Sequence, residues 1–465
     1  MRPSTLRRLV ALTAVCVATL SVGALPATAD SVTGSSIAVG YRPWGVAITP
    51  DGTKLYTNSE ELGGSICVVD IATGITTALI QAGNGTIDVA ITPDGAKAYV
   101  TNSLDDTVTV IDVGTDTALT PIPVGDRPWG VAVTPDGTRA YVANSSSNTV
   151  SVINVASGTV TSTIAVGLTP YGVAFTPDGT KAYVTNFNEA SVTVIDVATG
   201  TVGAPIAVGA SPHSVDVSPD GTIAYVTNYL AASVSVINVA TNTVTATIAI
   251  PQGTRPSDVQ FTPDGTKAYV ANYVGTTVSV INTATNAVAQ SITVGQKPWG
   301  LAFTPDGTRA YVSSYTTSTL TVIAVDVLPV LALPSAVLAA TVGAPFSFAS
   351  RIAGTPVTTF SITGGSLPNG LVLDAATGVL SGTPISAGSS TFTISASNPA
   401  GTTSAQYTVA VAEALVATAA LAATGVSPVP LAVGAGATML LGLVLLRRRG
   451  ADAAACARKD QPSDA

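Results

Sequence analysis

The sequence has few charged residues, and only one histidine and three cysteines among its 465 residues. Lys, Arg, Asp and Glu together make up 10% of the chain, and the formal net charge is -8. A protein that binds nucleic acid needs a basic surface to neutralise phosphates, so this composition argues against a nucleic-acid partner. One histidine cannot build a histidine-based metal cluster, and it would have to serve alone in any Ser-His-Asp arrangement.

Thr, Ser, Val, Ala and Gly dominate the chain, which is long enough for two or more domains. β-Branched residues interrupted by glycine and proline are typical of many short strands joined by tight turns. Away from the two ends the only cysteine is Cys67, so no internal disulfide can form there. Cys67 lies in the apolar segment Ile66–Val69, which predicts a buried, unreactive thiol.

The N-terminus has the three regions of an export signal. Three arginines among the first eight residues precede an apolar run over residues 9–25, and small residues follow. We therefore expect a signal peptide over residues 1–29, cleaved between Ala29 and Asp30. The alternative is an N-terminal membrane helix that is retained.

The C-terminus carries a second apolar segment. No charged residue occurs between Glu413 and Arg447, and residues 431–446 are continuously apolar. Three arginines follow, as expected on the cytoplasmic side of a membrane, so the sequence predicts a transmembrane helix and a cytoplasmic tail at 447–465.

A short motif precedes this segment, in the linker 413–430. It comprises Leu421, two alanines, Thr424 and Gly425. Followed by an apolar span and a basic tail, it resembles a sortase-dependent cell-wall sorting signal of the LPXTG type, with alanine in place of proline. The resemblance implies that a sortase cleaves between Thr424 and Gly425 and links Thr424 to the cell wall. The alternative is a plain membrane anchor.

One tripeptide, Pro-Asp-Gly, recurs seven times at intervals of 42 to 44 residues. Repeats of this length are typical of β-propellers, in which each repeat forms one four-stranded blade. The aspartates of the seven copies are Asp51, Asp94, Asp136, Asp178, Asp220, Asp264 and Asp306.

A second motif follows each aspartate, as in Tyr99–Asn102 and Tyr183–Asn186, which both read Tyr-Val-Thr-Asn. The two motifs together resemble the YVTN family of β-propeller repeats found on microbial surface proteins. The resemblance implies an all-β, seven-bladed propeller over residues 31–326. The seventh copy departs from the pattern, with Ser313 and Ser314 in place of Thr and Asn.

The fourth repeat predicts the strands of one blade. Residues 172–176, 181–185, 191–196 and 205–208 alternate with turn residues, and we expect them to form a sheet from the innermost to the outermost strand. Residues 35–40 resemble an outermost strand but precede the first repeat, whereas the seventh repeat ends after its third strand. We therefore predict that the N-terminal strand completes the seventh blade and removes an exposed edge.

The period ends near residue 328. Residues 366–384 and the later alternating strands resemble the cadherin-like Ig modules of bacterial surface proteins, which implies a small β-sandwich over residues 328–412. Some relatives bind calcium, which needs several carboxylate ligands, but this segment offers Asp374 and little else. We expect no cofactor, and we interpret the domain as a spacer between the propeller and the cell wall.

Most repeated polar residues are predicted to be structural. The Pro-Asp-Gly aspartates should cap their own turns, the Asn of each Tyr-Val-Thr-Asn segment should be a turn residue, and the Tyr should pack between blades.

One repeat position is different, because it holds all three tryptophans and the only histidine. It lies where each innermost strand begins, so its side chains should surround one mouth of the central channel. Basic residues stand two positions earlier in four repeats. The residues at the position are Trp44, Ile87, Trp129, Tyr171, His213, Ser257 and Trp299, and the basic residues are Arg42, Arg127, Arg255 and Lys297.

Aromatic faces stack on sugar rings, and arginine holds carboxylates and phosphates. The sequence thus predicts a ligand site at this mouth, for an anionic glycan or a charged surface peptide. The alternative is that the aromatic residues wedge the blades apart and the basic residues form a solvated rim.

We interpret the chain as a surface-anchored binding or adhesion protein and not as an enzyme. The first alternative is an extracellular, lactonase-like hydrolase, with its acid and base groups in the channel. The second is a structural component of the cell envelope. The candidate groups for a hydrolase are Asp88, Asp216, Asp258 and His213.

Overall fold

The computed structural model describes residues 30–59, 63–251, 254–332, 337–355, 359–398 and 401–414, and the elements within these ranges are 38 β-strands. The predicted signal peptide, sorting motif (Leu421, Thr424, Gly425), membrane segment and tail lie outside the described residues. Within the described ranges no helix is long and apolar enough to cross a membrane.

Seven antiparallel sheets follow one another along the chain, each from an innermost to an outermost strand, after an initial strand β1 (Ser31–Ala38). Blade 1 contains β2 (Val46–Ile48), β3 (Lys54–Ser59), β4 (Ser65–Asp70) and β5 (Ile75–Gln81). Blade 2 contains β6 (Thr86–Ile91), β7 (Lys97–Asn102), β8 (Thr107–Asp112) and a divided outer strand, β9 (Thr117–Ala118) with β10 (Ile122–Pro123). Blade 3 contains β11 (Pro128–Val133), β12 (Arg139–Asn144), β13 (Thr149–Asn154) and β14 (Thr159–Ala165).

The remaining blades repeat this order. Blade 4 contains β15 (Pro170–Phe175), β16 (Lys181–Asn186), β17 (Ser191–Asp196) and β18 (Ile206–Ala207). Blade 5 contains β19 (Pro212–Val217), β20 (Ile223–Asn228), β21 (Ser233–Asn238) and β22 (Thr243–Ala249). Blade 6 contains β23 (Pro256–Phe261), β24 (Lys267–Asn272), β25 (Thr277–Asn282) and β26 (Ala287–Thr293). Blade 7 contains β27 (Pro298–Phe303), β28 (Arg309–Ser314) and β29 (Thr319–Ala324).

The fourth strand of blade 7 is β1, as predicted. It pairs antiparallel with β29, with Ile37 opposite Leu320 and Ala38 opposite Thr319. The first strand of the chain is therefore hydrogen-bonded to the last blade, and the edge of β29 is covered.

The seven innermost strands contact one another in chain order, and β27 contacts β2, so the blades form a closed ring around a channel. The tyrosine of each second strand is buried between adjacent blades, as predicted. In two of the core clusters, Tyr183 packs with Val215 of the next blade and Tyr225 packs with Val259. The seven tyrosines, each less than 2% exposed, are Tyr56, Tyr99, Tyr141, Tyr183, Tyr225, Tyr269 and Tyr311.

The Pro-Asp-Gly aspartates cap their turns, as predicted. In the first turn, Asp51 Oδ1 accepts hydrogen bonds from Thr49 Oγ1 at 2.5 Å and from the Thr53 N–H at 3.0 Å. Gly52 supplies the positive φ of 71° that the turn requires. The same pair of bonds recurs in the other six turns.

The asparagines of the Tyr-Val-Thr-Asn segments are buried strand residues, and the prediction that they are turn residues was wrong. Asn186 ends β16, where its Nδ2 donates to Ser191 Oγ and Thr193 Oγ1, both at 2.9 Å. The short polar side chain thus binds two hydroxyl groups of the neighbouring strand, which requires the residue to lie inside the sheet.

A second set of polar contacts joins each of blades 1 to 6 to the next blade. Lys181 Nζ of blade 4 donates to the Val239 carbonyl at 2.6 Å, and Tyr183 Oη donates to Asn242 Oδ1 at 2.7 Å. Both acceptors belong to the region that follows the third strand of blade 5. These bonds fix the register of one blade against the next. The same interface also contains an apolar core.

The second domain is a small β-sandwich of antiparallel and parallel pairs, as predicted. Its apolar core includes Phe360, Leu380, Phe392, Ile394 and Tyr407. Its strands are β30 (Val327–Leu331), β31 (Leu338–Thr341), β32 (Phe346–Ala349), β33 (Arg351–Thr355), β34 (Thr359–Gly365), β35 (Leu371–Leu373), β36 (Val379–Gly382), β37 (Gly388–Asn398) and β38 (Gly401–Ala412).

Candidate functional site

Each blade presents two loops at one end of its strands: the connection into the innermost strand and the hairpin between the second and third strands. Backbone hydrogen bonds hold these two loops together, for example from Ser145 N to Arg127 O at 2.9 Å and from Tyr229 N to Ser211 O at 2.9 Å. We call this end of the propeller the upper face. The Pro-Asp-Gly turns lie at the other end of the innermost strands, on the lower face.

The predicted basic residues occupy a backbone position that has positive φ in all seven repeats, between 48° and 67°. Positive φ is uncommon for residues other than glycine and costs on the order of 1 kcal/mol each. The fold imposes this conformation whatever the side chain is, so side-chain identity here does not reflect a backbone requirement. The residues are Arg42, Gly85, Arg127, Thr169, Ser211, Arg255 and Lys297.

The predicted aromatic residues come together on the axis of the propeller. The ring centroids of Trp44 and Trp299 are 4.3 Å apart, those of Trp129 and Tyr171 are 4.4 Å apart, and those of His213 and Trp299 are 4.9 Å apart. Trp44 also approaches Trp129, at 6.5 Å, past the smaller Ile87 of blade 2. The axial cluster, as we call it, comprises Trp44, Trp129, Tyr171, His213 and Trp299.

The axial cluster covers the channel at the upper face, whereas the sequence analysis placed the same side chains around a mouth. Only seven innermost strands surround the channel, so it is narrow. The five aromatic side chains that extend into it therefore contact one another. Trp44, Trp129, Tyr171 and Trp299 remain partly exposed, and His213 is buried. Any ligand on the upper face therefore meets an aromatic surface at its centre.

A second aromatic set, which the sequence analysis missed, surrounds the axial cluster. Each member directly follows the segment of its repeat that corresponds to Tyr-Val-Thr-Asn, a position at which blades 1 to 3 have serine. Its contacts with the axial cluster include Tyr315 with Trp44 at 5.0 Å and Tyr273 with Trp299 at 4.9 Å. An alignment of the seven repeats reveals the set: Phe187, Tyr229, Tyr273 and Tyr315.

Three of the four basic residues lie over these aromatic rings. Arg42 Cζ is 5.2 Å from the ring centroid of Tyr315 and 4.7 Å from that of Tyr41, and Arg255 Cζ is 5.4 Å from that of Tyr229. Lys297 Nζ lies 5.6 Å from the ring of Tyr273. Such cation–π contacts hold a positive charge near an aromatic surface without neutralising it. We call the upper-face loops of blades 5, 6, 7 and 1 that carry these residues the cationic half.

Acidic residues occur on the opposite side of the upper face, in the loops of blades 2 to 4. Asp106 Oδ1 accepts a hydrogen bond from the Arg127 N–H at 2.8 Å, and Glu189 Oε2 accepts one from the Leu168 N–H at 2.9 Å. Asp105 Oδ2 accepts one from the Asn84 N–H at 2.7 Å. Arg127, the fourth predicted basic residue, therefore lies among carboxylates. Among the residues that the structure describes, the upper face is divided by charge; Glu60 and Glu61, between β3 and β4 in the sequence, lie outside them.

Apolar side chains are also exposed at the upper face. They lie in the loops after the second strands or directly before the position of positive φ, and each is at least 45% exposed. Several exposed apolar groups on one face are a feature of binding surfaces. These residues are Tyr41, Leu104, Leu168, Leu230 and Val274.

Beneath the axial cluster the channel contains a cavity of about 390 Å³. Three of the carboxyl groups considered for a hydrolase, those of Asp88, Asp216 and Asp258, line it. Each carboxylate bridges two blades: Asp216 Oδ1 accepts from the Val217 N–H at 2.9 Å, and Oδ2 accepts from the Phe261 N–H of the next blade at 2.8 Å. Burial raises the pKa of Asp88 and Asp216 to about 7 and that of Asp258 to about 6.

His213 joins the axial cluster and the cavity. Its Nδ1 lies 2.6 Å from the Ser257 carbonyl oxygen, and because a carbonyl only accepts, Nδ1 carries the proton. Burial lowers the pKa of His213 to about 4, so the ring is neutral at pH 7. Its Nε2 then presents a lone pair, for which the described residues provide no hydrogen-bond partner.

Among the described residues, no three His, Cys, Asp or Glu side chains converge to hold a metal ion. Asp374, the carboxylate considered for calcium, accepts hydrogen bonds from the Ala376 and Thr377 N–H groups at 2.9 and 2.8 Å, so it caps a turn of the second domain. Cys67 is buried, and its Sγ accepts a hydrogen bond from the Gly40 N–H at 3.1 Å.

Comparisons with known proteins agree with both folds. The model of a family described as YNCE-like beta-propeller matches residues 61–191, and that of a family described as Lactonase, 7-bladed beta-propeller, matches residues 170–329. A third, described as Putative Ig domain, matches residues 328–412, the bounds predicted for the second domain. The chain is thus a seven-bladed β-propeller followed by an Ig-like domain.

Among solved structures, the chain is similar to one of Kuenenia stuttgartiensis hydrazine synthase, with a TM-score of 0.57 and 24% sequence identity. The alignment covers 63% of this chain and 98% of that one. At this identity the likeness is one of fold. No curated protein matches the chain.

Proposed function

We propose that this protein is a cell-surface recognition protein whose upper face binds an anionic glycan. The observation that carries the proposal is the cationic half, where Arg42, Arg255 and Lys297 are held over tyrosine rings beside the axial cluster. Guanidinium and ammonium groups pair with carboxylate or sulfate groups, and aromatic faces stack on sugar rings.

The division of charge supports a directional mode of binding. An anionic ligand is attracted to the cationic half and repelled by Asp105, Asp106 and Glu189 across the axis. The positive charges are already positioned by their contacts with aromatic rings, which reduces the side-chain entropy lost on binding.

Display at the cell surface is the second part of the proposal. An export signal over residues 1–29, a sorting motif at 421–425 and an Ig-like domain between the propeller and that motif would place the propeller outside the cell. Sortase and the cell wall are then the partners that attach the chain, with a membrane anchor as the alternative.

The test is an array of neutral, uronate-containing and sulfated glycans, probed with the full-length protein and with an Arg255→Gln/Lys297→Gln variant. Both side chains are exposed, so the variant should keep the fold. We expect selective binding to anionic glycans, weakened at least about tenfold in the variant.

Arg127→Gln is the matched control, because Arg127 has the same repeat position, backbone conformation and exposure but lies on the acidic side. It should retain binding. Equal binding of neutral glycans, or equal losses in the control and the double variant, would refute the proposed site. No binding on a broad array would favour a structural role in the envelope.

A hydrolase is the second candidate function. It is supported by the match of residues 170–329 to the lactonase family and by the neutral His213, whose Nε2 lone pair lies at a cavity lined by carboxyl groups. The Asp88 and Asp216 carboxyl groups, whose pKa burial raises to about 7, are suited to general acid–base catalysis near neutral pH. Turnover of lactones or esters that is lost in His213→Phe would favour this function.

A further inference from the structure

The channel cavity forms a second candidate site, distinct from the cationic half of the upper face. Trp129, Tyr171 and Trp299 form its roof, and it extends to Val133 and Phe175 near the lower ends of the innermost strands. Its volume of about 390 Å³ is within the range of small-molecule sites.

The cavity wall is rich in hydrogen-bond acceptors. Asp216 and Asp258 come from blades 5 and 6, and Asp88 comes from blade 2, at two strand positions where the other blades have Gly, Ala, Ser or Gln. The hydroxyl of Ser214, a donor on the same wall, is already bonded to Asp258 Oδ1 at 2.7 Å. The wall thus has more acceptor capacity than donor capacity.

His213 adds an independent requirement for a donor. It is only 7% exposed and lines the cavity, and its Nε2 lone pair has no partner among the described residues. A buried acceptor without a donor costs free energy, so an incoming N–H or O–H group is favoured at this point.

The remaining surfaces indicate the charge and shape of the ligand. The aromatic roof attracts a cation. Val133 and Phe175 of blades 3 and 4 add an apolar wall at the lower end of the cavity, which suits a short alkyl chain.

We propose that the channel binds a primary alkylammonium ion. Its ammonium group lies among the acceptors of His213, Asp216 and Asp258, and its alkyl chain lies along the apolar wall of blades 3 and 4 at Val133 and Phe175. A primary ammonium supplies three N–H donors and a positive charge, which together match the acceptors and the aromatic roof. This site does not depend on the upper face binding a glycan.

The test is a titration of the full-length protein with n-butylammonium chloride, followed by calorimetry and by tryptophan fluorescence. All three tryptophans of the chain belong to the axial cluster, so their emission reports on the roof of the cavity. n-Butanol is the neutral probe of similar shape. We expect saturable binding of n-butylammonium and at least about tenfold weaker binding of n-butanol.

Two variants test the location. At pH 8, above the pKa of about 7 of Asp216, Asp216→Asn removes a negative charge from the cavity and should weaken binding at least about tenfold, whereas Asp136→Asn removes one from a lower-face turn and should not. Ala132→Leu fills the cavity without removing a hydrogen bond and should also block binding.

Three results would overturn the proposal. They are the absence of saturable n-butylammonium binding, n-butanol binding of equal strength, and wild-type affinity in Ala132→Leu. Because Ala132→Leu keeps every carboxylate bridge between blades, it remains informative if Asp216→Asn does not fold.

Discussion

Asp30 occupies a place in blade 7 that a turn residue occupies in other blades. In blades 4 and 5, Tyr183 and Tyr225 donate to Asn242 and Asn286, which lie in the turn between the third and fourth strands of the next blade. Blade 7 lacks this turn because its fourth strand is β1. Tyr269 of blade 6 instead donates to Asp30 Oδ2 at 2.5 Å.

The same carboxylate forms a buried ion pair. Lys267 Nζ lies 2.9 Å from Asp30 Oδ1, with side-chain exposures of 4% and 0%, and the Asp326 N–H donates to Asp30 Oδ1 at 2.8 Å. Asp30 thus binds blade 6, the end of blade 7 and, through the backbone, β1. It is also the first residue after the expected signal cleavage site.

We predict that Asp30→Asn lowers the free energy of unfolding by about 3–5 kcal/mol, because it leaves the Lys267 ammonium buried without a counter-charge. Equilibrium denaturation with urea measures this loss. Asp116→Asn is the matched control: Asp116 pairs with Lys54 at 2.7 Å, but the two side chains are 22% and 30% exposed. The control should lose no more than about 1 kcal/mol, and equal losses would contradict the account.

Predictions for single residues succeeded where the seven repeats share a motif. They failed where the position of a side chain depends on contacts with other blades. The turn aspartates and packing tyrosines follow from local motifs, and they were found. The meeting of Trp44, Trp129 and Trp299 on the axis depends on the width of the ring, which no motif encodes. The sequence context of Asp30 indicates only a signal cleavage site, because its ion pair with Lys267 depends on the pairing of β1 with blade 7.

At the scale of elements, the outer strands vary most. Blades 1, 3, 5 and 6 have outer strands of seven residues, whereas that of blade 4 has two residues and that of blade 2 is divided into two segments of two residues each. Pro121 and Pro205 interrupt the two short ones. Proline lacks the N–H that continues a ladder, so the strand predicted over 205–208 contracts to Ile206–Ala207.

Strand β1 closes the ring, because it pairs the start of the propeller with β29 of the last blade. Ile37 of β1 is buried in a cluster with Leu320 and Val322 of blade 7 and Val46 of blade 1. Loss of β1 would expose the edge of β29 and this cluster together.

We predict that a chain lacking residues 30–38 loses cooperative thermal unfolding, measured by circular dichroism, and that a synthetic peptide of residues 30–40 restores it. The same peptide with Ile37→Asp should not, because it places a charge in the buried cluster. A truncated chain that melts like the intact one would show that β1 is dispensable.

At the scale of the whole molecule, the repeats predict the ring and their differences mark the candidate sites. Seven equivalent turns and tyrosines define one architecture, and the positions that differ between blades hold the aromatic, basic and acidic residues of the upper face and channel. The sequence identified most of these positions. It could not assign the charges to opposite halves, because that depends on where each blade stands around the axis.

The most direct test of the central claim is hydrogen–deuterium exchange of the full-length protein with and without the anionic glycan that binds best on the array. The account predicts slower amide exchange confined to the upper-face loops of the cationic half, at residues 40–43, 229–232, 254–255, 273–276, 296–298 and 315–318. Protection at the Pro-Asp-Gly turns of the lower face or in the Ig-like domain, with none in these loops, would contradict it.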